Sequence, residues 1–169
     1  MPIATGSHRL GPAHGALEIR TYREGMASKV GHDLIIEVTR WEATVERGAI
    51  ELTADPGSLE VREGHRGVKP LTDKDRREIR KTIDAKVLGS SPIVFRSTRL
   101  DGDTVAGELT MAGATRPVTL RLDTAGGRIR ATIPLVQSQW GIKPYRGLMG
   151  ALKVRDDVEI VIDAPAEAA

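Results

Sequence analysis

The sequence predicts a mainly β domain, an antiparallel sandwich or barrel carrying one amphipathic helix, and three observations predict it. Apolar residues recur at every second position through most of the chain. Glycine-containing turn clusters punctuate those runs at short, regular intervals. One segment, residues 70–89, changes to a spacing of four.

The elements follow in order. Ala16 to Arg20 alternates and leads to Tyr22. A short helical turn is compatible with Gly25 to Val30. Leu34 to Trp41 reads as one strand with a mainly apolar face, continued by Ala43 to Glu46 and turned by Arg47-Gly48. Gly48 to Leu52 starts the next strand, Asp55-Pro56-Gly57 ends it with turn chemistry, and Ser58 to Arg62 forms a short strand. Thr72 is a good helix N-cap, and Asp73 and Asp75 place negative charge in the first turn. Ile79, Ile83 and Val87 make one apolar stripe. Lys74, Arg77, Arg80 and Lys81 make the solvated face, and Asp73 is spaced to pair with Arg77. Gly89 stops the helix. Strands then follow at Ile93–Leu100, Thr104–Met111, Thr115–Asp123, Arg128–Gln137 and Val154–Asp163. Asp101-Gly102-Asp103, Ala112-Gly113-Ala114 and Ala125-Gly126-Gly127 are the turns between them. The tail from Ala164 to Ala169 is expected to fray.

A chain of 169 residues fits one domain over 1–169, with a core at about 7–163. Aromatic residues are only 3%, so that core must rest on Leu, Ile, Val, Ala and Met. The 25 Lys and Arg against 23 Asp and Glu alternate along the chain, with no dense cationic block, which argues against nucleic acid as a partner. The absence of cysteine excludes disulfides, thiolate metal sites and Cys nucleophiles. Residues 1–12 contain no apolar export core, so with Met1 as the true start the expected compartment is the cytoplasm. No apolar run approaches the roughly 20 residues of a spanning helix, so no stable membrane anchor is expected. A homodimer is compatible with the pattern, but nothing in the sequence requires one.

From Leu71 to Thr98 a helix ends in small residues, then comes Pro92, then a strand with a central Phe95, and this stretch resembles the helix-then-strand segment of the YceI-like family. Gly107 to Leu120, G-E-L-T-M-A-G-A-T-R-P-V-T-L, resembles its hairpin pattern G-x-L-T-x-x-G-x-T-x-P-V. Gln137 to Ile142, Q-S-Q-W-G-I, resembles its R-S-D-F-G-I segment. Leu10 to Gly15 resembles its opening, and His32 and Leu34 lie where it has a His-Leu pair. The resemblance implies a lipocalin-like antiparallel barrel of about eight strands with an elongated apolar pore. It also implies a function in binding and carrying polyisoprenoids. The chain departs from the pattern in lacking a secretion signal and in having Gln137 and Gln139 where the family has a basic and an acidic residue. It departs again at Gly64-His65-Arg66-Gly67 and at Lys143 to Gly150.

No nucleophile elbow, Ser-x-x-Lys or phosphate loop occurs, and the four histidines lack local metal-site spacing, so no catalytic residue, metal site or cofactor is expected. His14 and His65 read as loop residues. His32 has two readings: a hydrogen-bonded residue at the barrel mouth, or a polar anchor for a ligand head group or haem. Ile36, Val38, Phe95, Met111, Ile133, Leu135 and Trp140 are candidates to line an apolar interior, Met111 because a thioether side chain is flexible. Residues 140–150 form a candidate gate. There Gly141, Gly147 and Gly150 permit movement, Lys143 and Arg146 could meet an anionic head group, and Tyr145 and Met149 offer apolar cover. The expected ligand is an isoprenoid, a quinone or a fatty acyl chain, held for carriage or sequestration. The alternatives are a non-catalytic interaction or stress-response protein with a filled barrel, and a haem- or metal-assisted redox protein using His32.

Overall fold

A computed structural model describes residues 7–24, 31–46, 48–65, 70–147 and 152–165. Antiparallel strands form a six-stranded and a five-stranded sheet. The first, in spatial order, is β1 (Ser7–Leu10), β5 (Trp41–Glu46), β6 (Ala49–Ala54), β8 (Ile93–Asp101), β9 (Thr104–Met111) and β10 (Ala114–Arg121). The second, in spatial order, is β11 (Arg128–Val136), β14 (Asp157–Pro165), β2 (Ala16–Thr21), β4 (Asp33–Val38) and β7 (Leu59–His65). A small third sheet joins β3 (Arg23–Glu24), β12 (Arg146–Gly147) and β13 (Leu152–Val154).

Three chain paths cross from one main sheet to the other: β1 into β2, β4 into β5, and β6 into β7. With β8, β9, β10, β11 and β14 they make the eight strand paths of a barrel. The single strand expected over Leu34 to Trp41 therefore bends at Thr39-Arg40. The bend is held from the neighbouring path. Ser58 is buried, its carbonyl accepts from Thr39 N at 2.9 Å, and its Oγ accepts from Arg40 N at 3.0 Å. A bulge between Ile35 and Ile36 adds curvature beside it. The barrel is open along one seam, where β10 and β11 meet through a lone bridge, Asp123 to Arg130.

Alternation dictates which side chains enter the barrel. Ile129, Ala131 and Leu135 of β11 and Val158, Ile162 and Ala164 of β14 are all buried, while Arg128, Arg130 and Asp163 pair outside. Ala164 belongs to this core rather than to a frayed tail: it is 1% exposed and packs where Gly15 has no Cβ. His65 likewise ends β7 rather than lying in a loop. Ala112-Gly113 connects β9 to β10, with Met111 paired to Ala114. Both turn residues have positive φ, 51° and 78°, and Ala112 is the one described non-glycine residue in that region. The inverted turn matches the strand twist, at a cost at Ala112 of about 1 kcal/mol.

Helix α1 (Asp73–Thr82) is capped as expected. Thr72 Oγ1 accepts from Asp75 N at 3.1 Å, and Asp75 Oδ2 accepts from Thr72 N at 3.0 Å. Asp73 lies 3.8 Å from Arg76, not paired with Arg77, because the three-residue step brings Arg76 over it. Arg80 is not a purely solvated residue; it donates to the Gly57 carbonyl and ties the helix to the β6–β7 corner. The helix continues as one wide turn, Ile83–Val87, closed by Leu88 N donating to Ile83 O at 2.9 Å. The segment expected to form a helical turn, Gly25 to Val30, lies outside the described residues.

Candidate functional site

The strand alternation leaves two apolar cavities inside the barrel. The inner one, about 150 Å³, is lined by hydrocarbon and thioether side chains throughout, among them Leu17, Val38, Val45, Phe95, Val105, Leu120 and Ile133. None of its lining residues is exposed. The outer cavity, about 340 Å³, lies toward α1 and the small sheet. Its roof is the helical stripe Ile79, Ile83 and Val87, and its walls include Leu34, Ile36, Leu59, Ile142, Val154 and Val158. Thr21, Glu78, Thr82, Gln137 and Tyr145 add polar atoms there. Ile19, Leu88, Met111, Leu135 and Ile160 line both cavities, so the two are neighbours along one elongated space.

The polar groups of the outer cavity are held unequally. Gln137 is buried in a short helical turn, Gln137–Trp140, and its Nε2 donates to the Arg155 carbonyl at 3.0 Å. Asp156 anchors that turn, accepting from Ser138 N at 2.8 Å and Ser138 Oγ at 2.5 Å. Thr21 Oγ1 is buried and has no hydrogen-bond partner among the described residues. Glu78 and Tyr145 are exposed and form the rim. Next to Thr21, the Tyr22 hydroxyl donates to Glu159, a bond that pushes its pKa up, and Arg155 lies 5.8 Å above its ring.

The structure separates the candidate residues into groups. Val38, Phe95 and Ile133 line the inner cavity, Ile36 and Tyr145 the outer one, and Met111 and Leu135 both. Trp140 lines neither; it is buried, with its indole N–H donating to the Leu109 carbonyl at 2.9 Å. Lys143 and Arg146 are exposed and also line neither, since Gly141, at φ 75°, redirects the chain and β12 pairs with β13. His32 is half-buried outside both cavities. It sits beside Gly64, close to Leu71 just before the roof helix. Met149 lies outside the described residues. No group of three His, Cys, Asp or Glu side chains suited to a metal ion occurs among the described residues.

The family model described as YceI-like domain matches residues 9–166. The chain belongs to the YceI-like family. Among solved structures it is similar to the Burkholderia cenocepacia protein BcnA, with 16% identity, a TM-score of 0.54, and coverage of 89% of this chain and 96% of that one, a likeness of fold. No curated protein matches it. YceI-like proteins are a family of binding proteins for polyisoprenoid or lipid-like ligands. No described helix is long and apolar enough to cross a membrane.

In this YceI-like chain, sequence reasoning missed the helix as a roof. The stripe Ile79, Ile83 and Val87 was legible as an apolar face, but that spacing does not distinguish a helix packed on a filled barrel from one covering a cavity. Leu88, just before the stop at Gly89, carried no signal of its own.

Proposed function

We propose that the protein binds one apolar chain, an isoprenoid, a quinone or a fatty acyl chain, in the barrel interior, for carriage or sequestration. The observation that supports this reading best is the pair of adjoining apolar cavities, the inner one without a polar lining atom. Hydrocarbon is the chemistry that such a wall accepts, because a polar group would enter it without a hydrogen-bond partner. Each methylene taken from water contributes about 0.8 kcal/mol. Ten of them thus contribute about 8 kcal/mol and twenty about 16 kcal/mol, against an association cost of about 4–15 kcal/mol. Specific polar contacts are then needed for orientation rather than for affinity. Tyr145 and Glu78 at the rim, with Thr21 and Gln137 within, are the groups that would meet the polar end.

Native mass spectrometry of the purified protein, followed by organic extraction, tests the reading. The expected result is a discrete added mass that extracts as an apolar chain. A bare protein mass that does not shift after incubation with prenyl alcohols or fatty acids would overturn it and favour an interaction protein.

A further inference from the structure

We infer that Leu88 and Met111 form a movable partition between the outer and inner cavities, and that this partition sets the length of chain the barrel accepts. The inference rests on the binding reading above and adds to it a specificity-determining pair. Of the five residues that line both cavities, three are fixed. Ile19 lies on a strand paired on both sides, opposite Ile36 and Ile160, and Leu135 is paired with Val158. Met111 and Leu88 are held less. Met111 is the last residue of β9; it is paired with Ala114 on one side, while the pairing of β9 with β8 ends at Thr110. Its unbranched side chain has three rotatable bonds and adapts to what it meets. Leu88 lies outside every strand, and its backbone is bonded to Ile83, whose side chain roofs the outer cavity.

The roof and the partition are therefore one stretch of chain. A ligand that lifts Ile83 and Val87 also draws on Leu88, so entry into the outer cavity loosens the barrier to the inner one. The lining fixes the order of events. Polar atoms occur only on the outer side, and the inner cavity offers none, so a chain enters tail first and leaves its polar end near Thr21 and Gln137. A short chain stops at the partition. A longer one must displace Met111 and Leu88 to place its end beside Phe95.

The probe is a series of straight-chain primary alcohols from octanol to octadecanol, with affinities measured calorimetrically on the whole protein. For the wild type, binding is expected to tighten about four-fold per added methylene while the outer cavity fills. The increments should then break where the chain reaches the partition. Met111→Ala and Leu88→Ala should move the break to longer chains. Met111→Phe, which leaves no cavity should the alanine variants fold poorly and adds bulk at the partition, should move it to shorter ones. Ile142→Ala, on the outer wall alone, should weaken all lengths alike and leave the break in place. Normal binding with the same break in Met111→Phe and in Leu88→Ala overturns the partition and leaves the binding reading intact. Failure of every alcohol to bind the wild type overturns both.

Discussion

The two ends of this barrel are built differently. Around the inner cavity, the walls are hydrogen-bonded strands except at Leu88 and Leu122, and apolar side chains recur at every second position along β11 and β14. The outer cavity keeps strand walls at Leu34, Ile36, Leu59 and Val158, but it is closed by a capped helix with one wide turn, a short helical turn pinned by Asp156, and Val154 of the small sheet. A paired strand cannot open without losing its ladder, whereas a helix held by a cap, an apolar stripe and one arginine can lift as a unit. Under the proposed binding, rigidity thus belongs to the end that would hold the chain, and freedom to the end that would admit it.

Trp140 tests where the boundary lies. It belongs to the irregular end in sequence, yet it is 3% exposed and bonded to β9. Trp140→Ala is expected to cost about 4 kcal/mol of stability, the range for a buried aromatic. Its effect on ligand affinity in the folded fraction should be small, as it lines neither cavity. Thermal melts with and without ligand measure both. A variant with an unchanged melting temperature and lost binding would place Trp140 with the mouth and break the comparison.

Two glycines give a matched pair. A Cβ on Gly107 would lie 2.5 Å from both the Arg96 carbonyl and Phe95 Cζ, so backbone would have to move. A Cβ on Gly64 would meet the Leu71 side chain, with its Cγ at 2.8 Å, and that side chain can turn aside. Gly107→Ala should therefore destabilise by about 3 kcal/mol, and Gly64→Ala by about 1 kcal/mol. Equal losses on chemical denaturation would show that the mouth is as tightly packed as the barrel.

Much of this division was legible in the sequence, and the exceptions are physical. The runs ending in Val158, Ile160 and Ile162, and the stripe Ile79, Ile83 and Val87, report burial because periodicity and burial are the same fact. The bend at Thr39-Arg40 was hidden because no glycine or proline marks it. Its cause is Ser58, 18 residues along the chain. The direction of Lys143 and Arg146 was equally hidden, since it depends on Gly141 and on the pairing of Arg146 with Lys153. Cavities are harder still: a lining residue and a packed residue have the same composition, and only the spacing of walls tells them apart.

The roof helix should be separable from the barrel by its cap. Thr72→Ala removes the acceptor for Asp75 N and is expected to destabilise the helix by about 1 kcal/mol. Hydrogen exchange should quicken over residues 73–88 and not in β11 or β14, while ligand dissociation becomes several-fold faster. Uniformly faster exchange would mean that roof and barrel open together.

The smallest expected effect comes from two carboxylates, one at each end. The bond from Thr72 N holds the Asp75 carboxyl below its usual range, and the bond from Arg128 does the same for Asp163, whose Oδ1 is 2.7 Å from Arg128 Nε. A carboxyl whose folded pKa is depressed stabilises the fold fully above its unfolded value, about 3.9, and loses that contribution as pH falls through the folded value. Both contributions are therefore complete at neutral pH and fade below about pH 4. Asp163 is exposed enough for water and salt to screen it, so its share is a few tenths of a kcal/mol, about that of a surface pair. Its loss should leave the eight-path barrel standing. Loss of the Asp75 bond releases one side of the helix cap, so acid should raise exchange in the roof before it lowers the melting temperature. Asp75→Asn should bring much of that loosening to neutral pH, and Asp163→Asn should not. If the two variants exchange alike in the roof, the cap does not control the mouth, and the helix is held by its apolar stripe alone.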